Sequence, residues 1–258
     1  MDCEIINISI INKEIFRLDV SWHGNSQLKI VVPKAGQFFM IRPKRSAVFL
    51  GRPIGVALWQ PDTLTFLIAK IGRGTAELAS MRTGEEVELI GPQGNAWADF
   101  LPPENNGAKP IALVGGSLGV APLEALLCEA PGRSFDLYAG FKNGFDSQEE
   151  KDAVLWPNIG ARNCIIASED GKTGQKGLIL DFLEPEKYAA VCACGALPML
   201  KAVAQKCMAK GVPCFISMES RMACGVGACL GCAINTVNGN RRCCADGPIF
   251  KAEEVIFK

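Results

Sequence analysis

Histidine is almost missing from this chain, which contains one, His23. A Ser-His-Asp triad, a His-rich zinc site or a Rieske centre would each rest on that residue or fail. Its neighbourhood, Ser21-Trp22-His23-Gly24-Asn25, reads as a hairpin tip, where a histidine is an ordinary surface residue. An excess of one charge is missing too. Lys plus Arg and Asp plus Glu number 27 each, so nothing marks a nucleic-acid surface or an acidic substrate. Long apolar runs are lacking as well. The most apolar stretch, residues 111–127, is interrupted by glycines, Pro122 and Glu124, and falls short of the roughly 18 uninterrupted residues a spanning helix needs. Met1-Asp2-Cys3-Glu4 has no basic segment leading into an apolar one, so no secretory signal is read. The expectation is a cytoplasmic protein that uses neither membrane nor nucleic acid.

Cysteine, by contrast, is plentiful: there are 12 in 258 residues. Without an export signal they are read as thiols or metal ligands and not as a disulfide framework. With 48% hydrophobic and 21% charged residues the composition is globular, and the length suits two domains plus a small appendage.

Residues 1–102 read as short β-rich runs, among them 5–11, 28–32, 64–68 and 87–90, separated by Gly, Pro and Asn turns. That spacing predicts a small antiparallel barrel. Residues 102–110, rich in Pro and Asn, suit a linker. From there to 217 apolar runs at 111–114, 135–139, 164–167 and 190–193 alternate with helical stretches at 123–129 and 198–210. Such alternation predicts a parallel sheet covered by helices. From 218 to 258 neither period persists, and Gly and Cys dominate.

The strongest signal lies in that last segment. Cys224, Cys229 and Cys232 are spaced Cys-x4-Cys-x2-Cys, and Cys243 and Cys244 follow. Three thiolates on one loop with a fourth further on is the plant-type [2Fe–2S] arrangement. Gly225, Gly227 and Gly231 allow the loop to wrap closely and turn its N–H groups toward sulfur. Structural zinc is the rival, but zinc sites usually pair two Cys-x2-Cys hairpins. Spacing leaves Cys243 and Cys244 both open as the fourth ligand.

The run Met218-Glu219-Ser220-Arg221-Met222-Ala223-Cys224-Gly225-Val226-Gly227-Ala228-Cys229, with Cys244-Ala245-Asp246-Gly247-Pro248, resembles the electron-transfer subunit of class 1B dihydroorotate dehydrogenase. That family lies in the ferredoxin-NADP reductase superfamily, and the resemblance spans essentially the whole chain. It implies an antiparallel FAD-binding β-barrel, a parallel-sheet nucleotide-binding domain and a small C-terminal [2Fe–2S] domain. It selects Cys244 as the fourth ligand. Its activity would be to take electrons from NADH onto FAD and pass them through the cluster to a partner. The implied partner is an FMN-containing catalytic subunit that oxidises dihydroorotate in pyrimidine biosynthesis, in a heterotetramer of two of each chain.

Other residues carry the resemblance further. Arg52-Pro53-Ile54-Gly55 matches the Arg-Pro-Ile-Ser flavin motif, and Gly72-Arg73-Gly74-Thr75 the Gly-x-Gly-Thr motif. Arg52 would offer a forked cation to the FAD pyrophosphate, and Gly74 and Thr75 would meet phosphate at a helix start. Leu67, Ile68 and Ala69 fall where the next flavin-contacting strand is expected. Gly55 replaces the usual serine, a departure bearing on flavin hydrogen bonding. Gly115, Gly116, Ser117 and Gly119 follow the first strand of the second domain and resemble the nicotinamide-dinucleotide loop. Cys194, Gly195 and Pro198 match a Cys-Gly-x-x-Pro-Met motif, which implies Cys194 as the catalytic-site residue beside the nicotinamide. Lys142, where an adenosine ribose would sit, leaves NADH against NADPH open.

Three other functions fit parts of the pattern. Reductase subunits of the same superfamily, of the bifurcating ferredoxin:NADP oxidoreductase or sulfide dehydrogenase type, typically carry Asp at the first cluster position, where this chain has Cys224. A zinc-binding module is the second. A stand-alone oxygenase reductase is the third, and the 11 residues between Cys232 and Cys244 are too few for its ferredoxin domain.

Overall fold

A computed structural model describes residues 1–22, 31–44, 46–103, 109–157 and 160–257. His23, residues 28–30 of the run at 28–32, and the middle of the linker at 104–108 lie outside the described residues.

The first sheet is antiparallel. It comprises β1 (Asp2–Ile10), β2 (Ile15–Ser21), β3 (Phe38–Pro43), β4 (Arg52–Gly55), β5 (Leu58–Trp59), β6 (Thr63–Ala69) and β7 (Glu86–Gln93), in the order β4-β3-β7-β1-β2-β6-β5. Alternating apolar positions turn inward, as a period of two requires. Ile5, Phe16, Leu18, Phe39, Phe66 and Leu89 fill the interior, and the Phe39 and Phe66 rings meet edge to face at 5.8 Å. Burying one such side chain contributes roughly 1.5–3 kcal/mol. Helix α1 (Arg73–Ser80) crosses from β6 to β7 and sends Leu78 into the same core. Val31 and Val32, the described part of the run at 28–32, are exposed and in no strand, so for these two residues the strand expectation is corrected.

The second sheet contains β8 (Ile111–Gly116), β9 (Phe135–Phe141), β10 (Asn163–Ser168), β11 (Gln175–Lys176), β12 (Ala190–Cys194) and β13 (Cys214–Ser217), all parallel. Helices α2 (Ala121–Glu129), α3 (Gln148–Val154) and α4 (Leu197–Met208) connect them. β8 and β12 are apolar throughout because both faces are covered. The order β11-β10-β9-β8-β12-β13 means the chain steps outward from β8 one way and returns to its other side. The gap between β8 and β12 is therefore the switch point, where open α/β sheets bind ligands beyond the strand C-termini.

The C-terminal segment forms a hairpin, β14 (Ala233–Thr236) with β15 (Gly239–Arg242). β16 (Ile249–Lys251) then pairs antiparallel with β13 and lengthens the second sheet to seven strands. Asn95, just past β7, fastens this return: its side chain donates to Ile249 O at 2.9 Å and accepts from Ile249 N at 3.0 Å. Cys232, Cys243, Cys244 and Phe250 share one core with Val191, Val203, Phe38 and Met40, so the segment is wedged against both sheets. The architecture is the expected one: antiparallel barrel, parallel sheet with helices, and a cysteine-bearing C-terminal unit. No helix among the described residues is long and apolar enough to cross a membrane.

Candidate functional site: a cysteine loop, a flavin strand and a dinucleotide crevice

The cysteine loop runs between β13 and β14 and is shaped by residues in the left-handed region. Gly225 (φ 71°) and Gly227 (φ 81°) adopt it freely, and a Cβ at Gly225 would stand 2.4 Å from Met40 Cγ. Leu230 (φ 58°) adopts it without being glycine and leaves its side chain 63% exposed. These turns aim backbone N–H groups at sulfur: Gly227 N lies 3.0 Å from Cys244 Sγ, Cys229 N 3.5 Å from Cys224 Sγ, and Gly231 N 3.5 Å from Cys229 Sγ. The Cys229 N–H, with help from Val226 N, holds the Cys224 thiol down at about 6. Burial pushes Cys244 up to about 11, and its contact with Cys232 adds to this.

The four thiols stand in two pairs. Cys232 and Cys244 approach to 3.3 Å, and Cys224 and Cys229 hydrogen-bond each other. Among the described residues no three metal-ligating side chains converge on a single ion position. One tetrahedral zinc needs its thiolates around one point, whereas two pairs suit a [2Fe–2S] cluster, which takes two thiolates per iron. The donor set therefore fits the cluster. Cys243 is fully buried, its thiol raised to about 12 by burial, and its side chain belongs to the core shared with the second sheet. Arg242 and Asp246, which motif reading passed over, brace the loop. Arg242 Nε and Nη2 each lie 2.9 Å from an Asp246 oxygen, and Arg242 Nη1 donates to Gly227 O at 3.2 Å.

β4 and β6 carry the flavin motif residues. Arg52 lies along the start of α1, where a Cβ at Gly74 would stand 2.3 Å from Arg52 Nε. Its Nη1 donates to Leu50 O. The first turn of α1 holds no acidic residue, and its leading N–H groups lack helical partners. A forked cation over a bare helix start is a pyrophosphate cradle, so these residues fit FAD. Thr75 departs from the expectation in one respect. Its hydroxyl is committed locally, accepting from Ile71 N at 3.0 Å and Gly72 N at 3.3 Å while donating to Gly72 O. Pro53 and Ile54 are half-buried on β4. Of the three β6 positions, Leu67 turns toward Ala121 of the second domain, Ile68 points into the barrel core, and Ala69 is half-buried at the strand end. Gly55 faces α2, where a Cβ would meet Pro122 at an ordinary 3.5 Å.

The nucleotide motif residues gather at the switch point. A Cβ on Gly115 would strike Val120, and one on Gly119 would lie 2.2 Å from Cys194 O. Gly195 (φ 152°) leaves no room for a Cβ, which would sit 3.1 Å from Gly116 Cα and 2.8 Å from Met199 Cε. The loops after β8 and β12 thus touch backbone to backbone. Ser117 takes φ 51° at the turn itself, and Pro198 opens α4. Cys194 is nearly buried, and burial pushes its thiol up to about 12. Lys142 is exposed beyond β9.

Comparison with known proteins agrees with this geometry. Residues 219–256 match the family described as the iron-sulfur cluster binding domain of dihydroorotate dehydrogenase B. The electron transfer subunit of dihydroorotate dehydrogenase B (NAD(+)) from Clostridium perfringens is 39% identical over 86% of this chain and 87% of its own. That of Caldanaerobacter subterraneus is 34% identical over 100% of this chain and 98% of its own. The chain belongs to the family of dihydroorotate dehydrogenase B electron transfer subunits. Among solved structures, an NADH-dependent reduced ferredoxin-NADP oxidoreductase superposes with a TM-score of 0.79 over 99% of this chain and 90% of its own, at 23% identity. A Neisseria gonorrhoeae ferredoxin NADP+ reductase with bound FAD and NADP gives 0.60 over 82% of this chain and 91% of its own, at 18% identity. These two likenesses concern the fold. For a dihydroorotate dehydrogenase B electron transfer subunit, the cysteine loop, the Arg52 cradle and the switch-point crevice are the three places where cofactors can be held, and the wedged C-terminal segment keeps them in one body.

Proposed function

We propose that this chain is a cytoplasmic NAD(P)H-dependent FAD and iron–sulfur oxidoreductase subunit, linking a nicotinamide to an FMN-containing catalytic subunit that oxidises dihydroorotate. The reading assigns residues 1–102 to FAD, 103–217 to NADH and 218–258 to the cluster. Cys224, Cys229, Cys232 and Cys244 are the cluster ligands. The paired arrangement of those four thiols is the observation that carries the reading. Bound in these places, FAD and the [2Fe–2S] cluster would supply two-electron exchange with the nicotinamide and one-electron exchange with the partner.

The chain itself binds, orients and excludes water. Arg52 and the N–H groups at Gly74 and Thr75 would hold the flavin pyrophosphate, while Pro53, Ile54 and Gly55 with Leu67, Ala69 and the backbone at Ile68 would frame the ring. Gly115, Gly116, Ser117 and Gly119 with Gly195 and Pro198 let a dinucleotide backbone approach the strand ends. Cys194, protonated and nearly buried beside them, lines the hydride path without acting as an acid or base. Electron balance sets direction in the assembly. Oxidation of dihydroorotate releases two electrons, which NAD+ takes; with NADH and an artificial acceptor the same path carries them the other way.

On the cysteine loop Val226 and Leu230 flank the exposed Cys229, and they are themselves 53% and 63% exposed. An apolar rim beside the thiols suits a docked subunit in a complex of two of each chain. The reading is tested by anaerobic purification, which should yield about one FAD and two irons per chain. Zinc alone, or four irons, refutes it. Cys229→Ser should remove the cluster and spare flavin reduction by NADH; loss of that reduction in a folded, FAD-loaded variant overturns the electron order.

A further inference from the structure

Gly227 stands between the two thiol pairs of the cysteine loop. Its N–H donates to Cys244 Sγ at 3.0 Å, and the peptide group that begins at its carbonyl leads to Ala228, whose N–H faces the Cys224 sulfur. A cation takes hold of that carbonyl: Arg242 Nη1 donates to Gly227 O at 3.2 Å. A Cβ on Gly227 would lie 3.3 Å from the same Nη1 and 2.9 Å from Ala245 Cβ, so the guanidinium and the loop already pack against each other.

The rest of Arg242 keeps it there. Its backbone N–H and its Nε reach Asp246 Oδ2 at 2.8 and 2.9 Å, and Nη2 reaches Oδ1 at 2.9 Å. Its carbonyl accepts the N–H groups of Ala245, Asp246 and Gly247, so the turn that carries Cys244 is wound around Arg242 itself. On the β14–β15 ladder it pairs with Ala233, the neighbour of Cys232. The positive charge therefore sits at the foot of the hairpin, beside the buried pair Cys232 and Cys244. Arg241, one residue earlier on the strand, is directed to the other face and is exposed.

An iron–sulfur cluster gains negative charge when it is reduced, and its potential follows net charge, hydrogen bonds to sulfur and solvent access. A guanidinium fixed beside the thiolates favours the reduced form by Coulomb attraction. By gripping the Gly227 carbonyl it also strengthens the Ala228 N–H of the same peptide group as a donor to sulfur. The Arg242 side chain is 39% exposed, so solvent screens part of this effect. We propose that Arg242 is a positioning residue that raises the reduction potential of the cluster, with Asp246 holding the guanidinium in place and offsetting part of its charge. The inference rests on the reading of Cys224, Cys229, Cys232 and Cys244 as ligands of a [2Fe–2S] cluster.

Anaerobic redox titration of the purified protein, loaded with FAD and iron, reads the potential from the EPR signal of the reduced cluster. Arg242→Gln should lower it by about 59 mV, a tenfold change for one electron. Arg242→Lys, which keeps the charge, should shift it much less, and so should Arg241→Gln, which removes an equal charge from the other face of the hairpin. Asp246→Asn leaves the guanidinium charge uncompensated and should move the potential upward. A brace with no electrostatic role would move Arg242→Gln and Asp246→Asn in the same direction or move neither, and either result overturns the proposal. A shift in Arg241→Gln as large as that in Arg242→Gln overturns it too. If Arg242→Gln retains no iron, Asp246→Asn decides alone: a rise upholds the proposal, and a fall or no change overturns it. A parent protein without iron overturns the cluster reading itself and the proposal with it, whereas an iron-loaded parent whose potential no variant moves overturns the proposal alone.

Discussion

The Sγ atoms of Cys232 and Cys244 lie 3.3 Å apart although a whole hairpin, β14 to β15, separates them in sequence. Ladder pairing of Ala233 with Arg242 brings the two ends of that hairpin together, and the Cys243 N–H donates to Cys232 O at 3.2 Å. The chain then presents Cys244 to the loop and turns Cys243 into the core. Cys244→Ser should therefore cost the cluster, while Cys243→Ser should leave iron content and visible spectrum nearly unchanged. Iron analysis of the two variants, purified anaerobically, decides it. The reverse outcome would move the fourth ligand by one residue.

Gly74→Ala should weaken FAD by about tenfold or more while lowering Tm little. The added Cβ would lie 2.3 Å from Arg52 Nε, and Arg52 ends a flexible side chain that can swing aside without disturbing the barrel. Swinging aside removes the forked cation from the helix start, where charge-assisted contacts to phosphate are strong. Flavin retention after gel filtration and thermal melting together separate the two effects. Unchanged FAD content would count against the cradle.

Glu124 sets a pH dependence of stability. It is fully buried on α2, accepts Trp156 N at 3.0 Å through Oε1, and its Oε2 has no partner among the described residues. Burial pushes its pKa up to about 8. The folded state therefore keeps a proton between about 4.5 and 8 that the unfolded chain has lost, so stability falls as pH rises across that window. Glu124→Gln keeps the acceptor and removes the charge. Its Tm should exceed that of the parent at pH 8, by an amount corresponding to about 1 kcal/mol or more, and the difference should shrink toward pH 5. A difference that grows on acidification would reverse the sign.

Val226→Asp and Leu230→Asp should each weaken association with the catalytic subunit about tenfold or more, because the apolar rim would have to bury a charge. Both side chains are exposed in the chain alone, at 53% and 63%, so neither variant should lose its fold, FAD or iron. Co-purification and flavin reduction by NADH measure the two properties separately. Intact association in both variants would place the docking face elsewhere.

Local order decided much of what the sequence shows by itself. The Cys-x4-Cys-x2-Cys spacing, the turn-separated β runs before the linker and the strand–helix alternation after it are all short-range patterns, and the two sheets follow them. The Arg52 and Gly74 motifs were legible because each is a short run of special backbone chemistry. Tertiary structure decided whatever depends on residues far apart in the chain. Periodicity cannot reveal that a three-residue strand, β16, returns to the parallel sheet, since three residues carry no period and Asn95 supplies the fastening from the other domain. Val31 and Val32 looked like strand because they are apolar and β-branched, but they stay largely exposed. The Arg242–Asp246 brace and the choice between adjacent Cys243 and Cys244 both depend on which side chain faces which once both sheets have closed on the C-terminal segment. Composition and spacing state which chemistry is available; only packing against a second element says where each charge and thiol points.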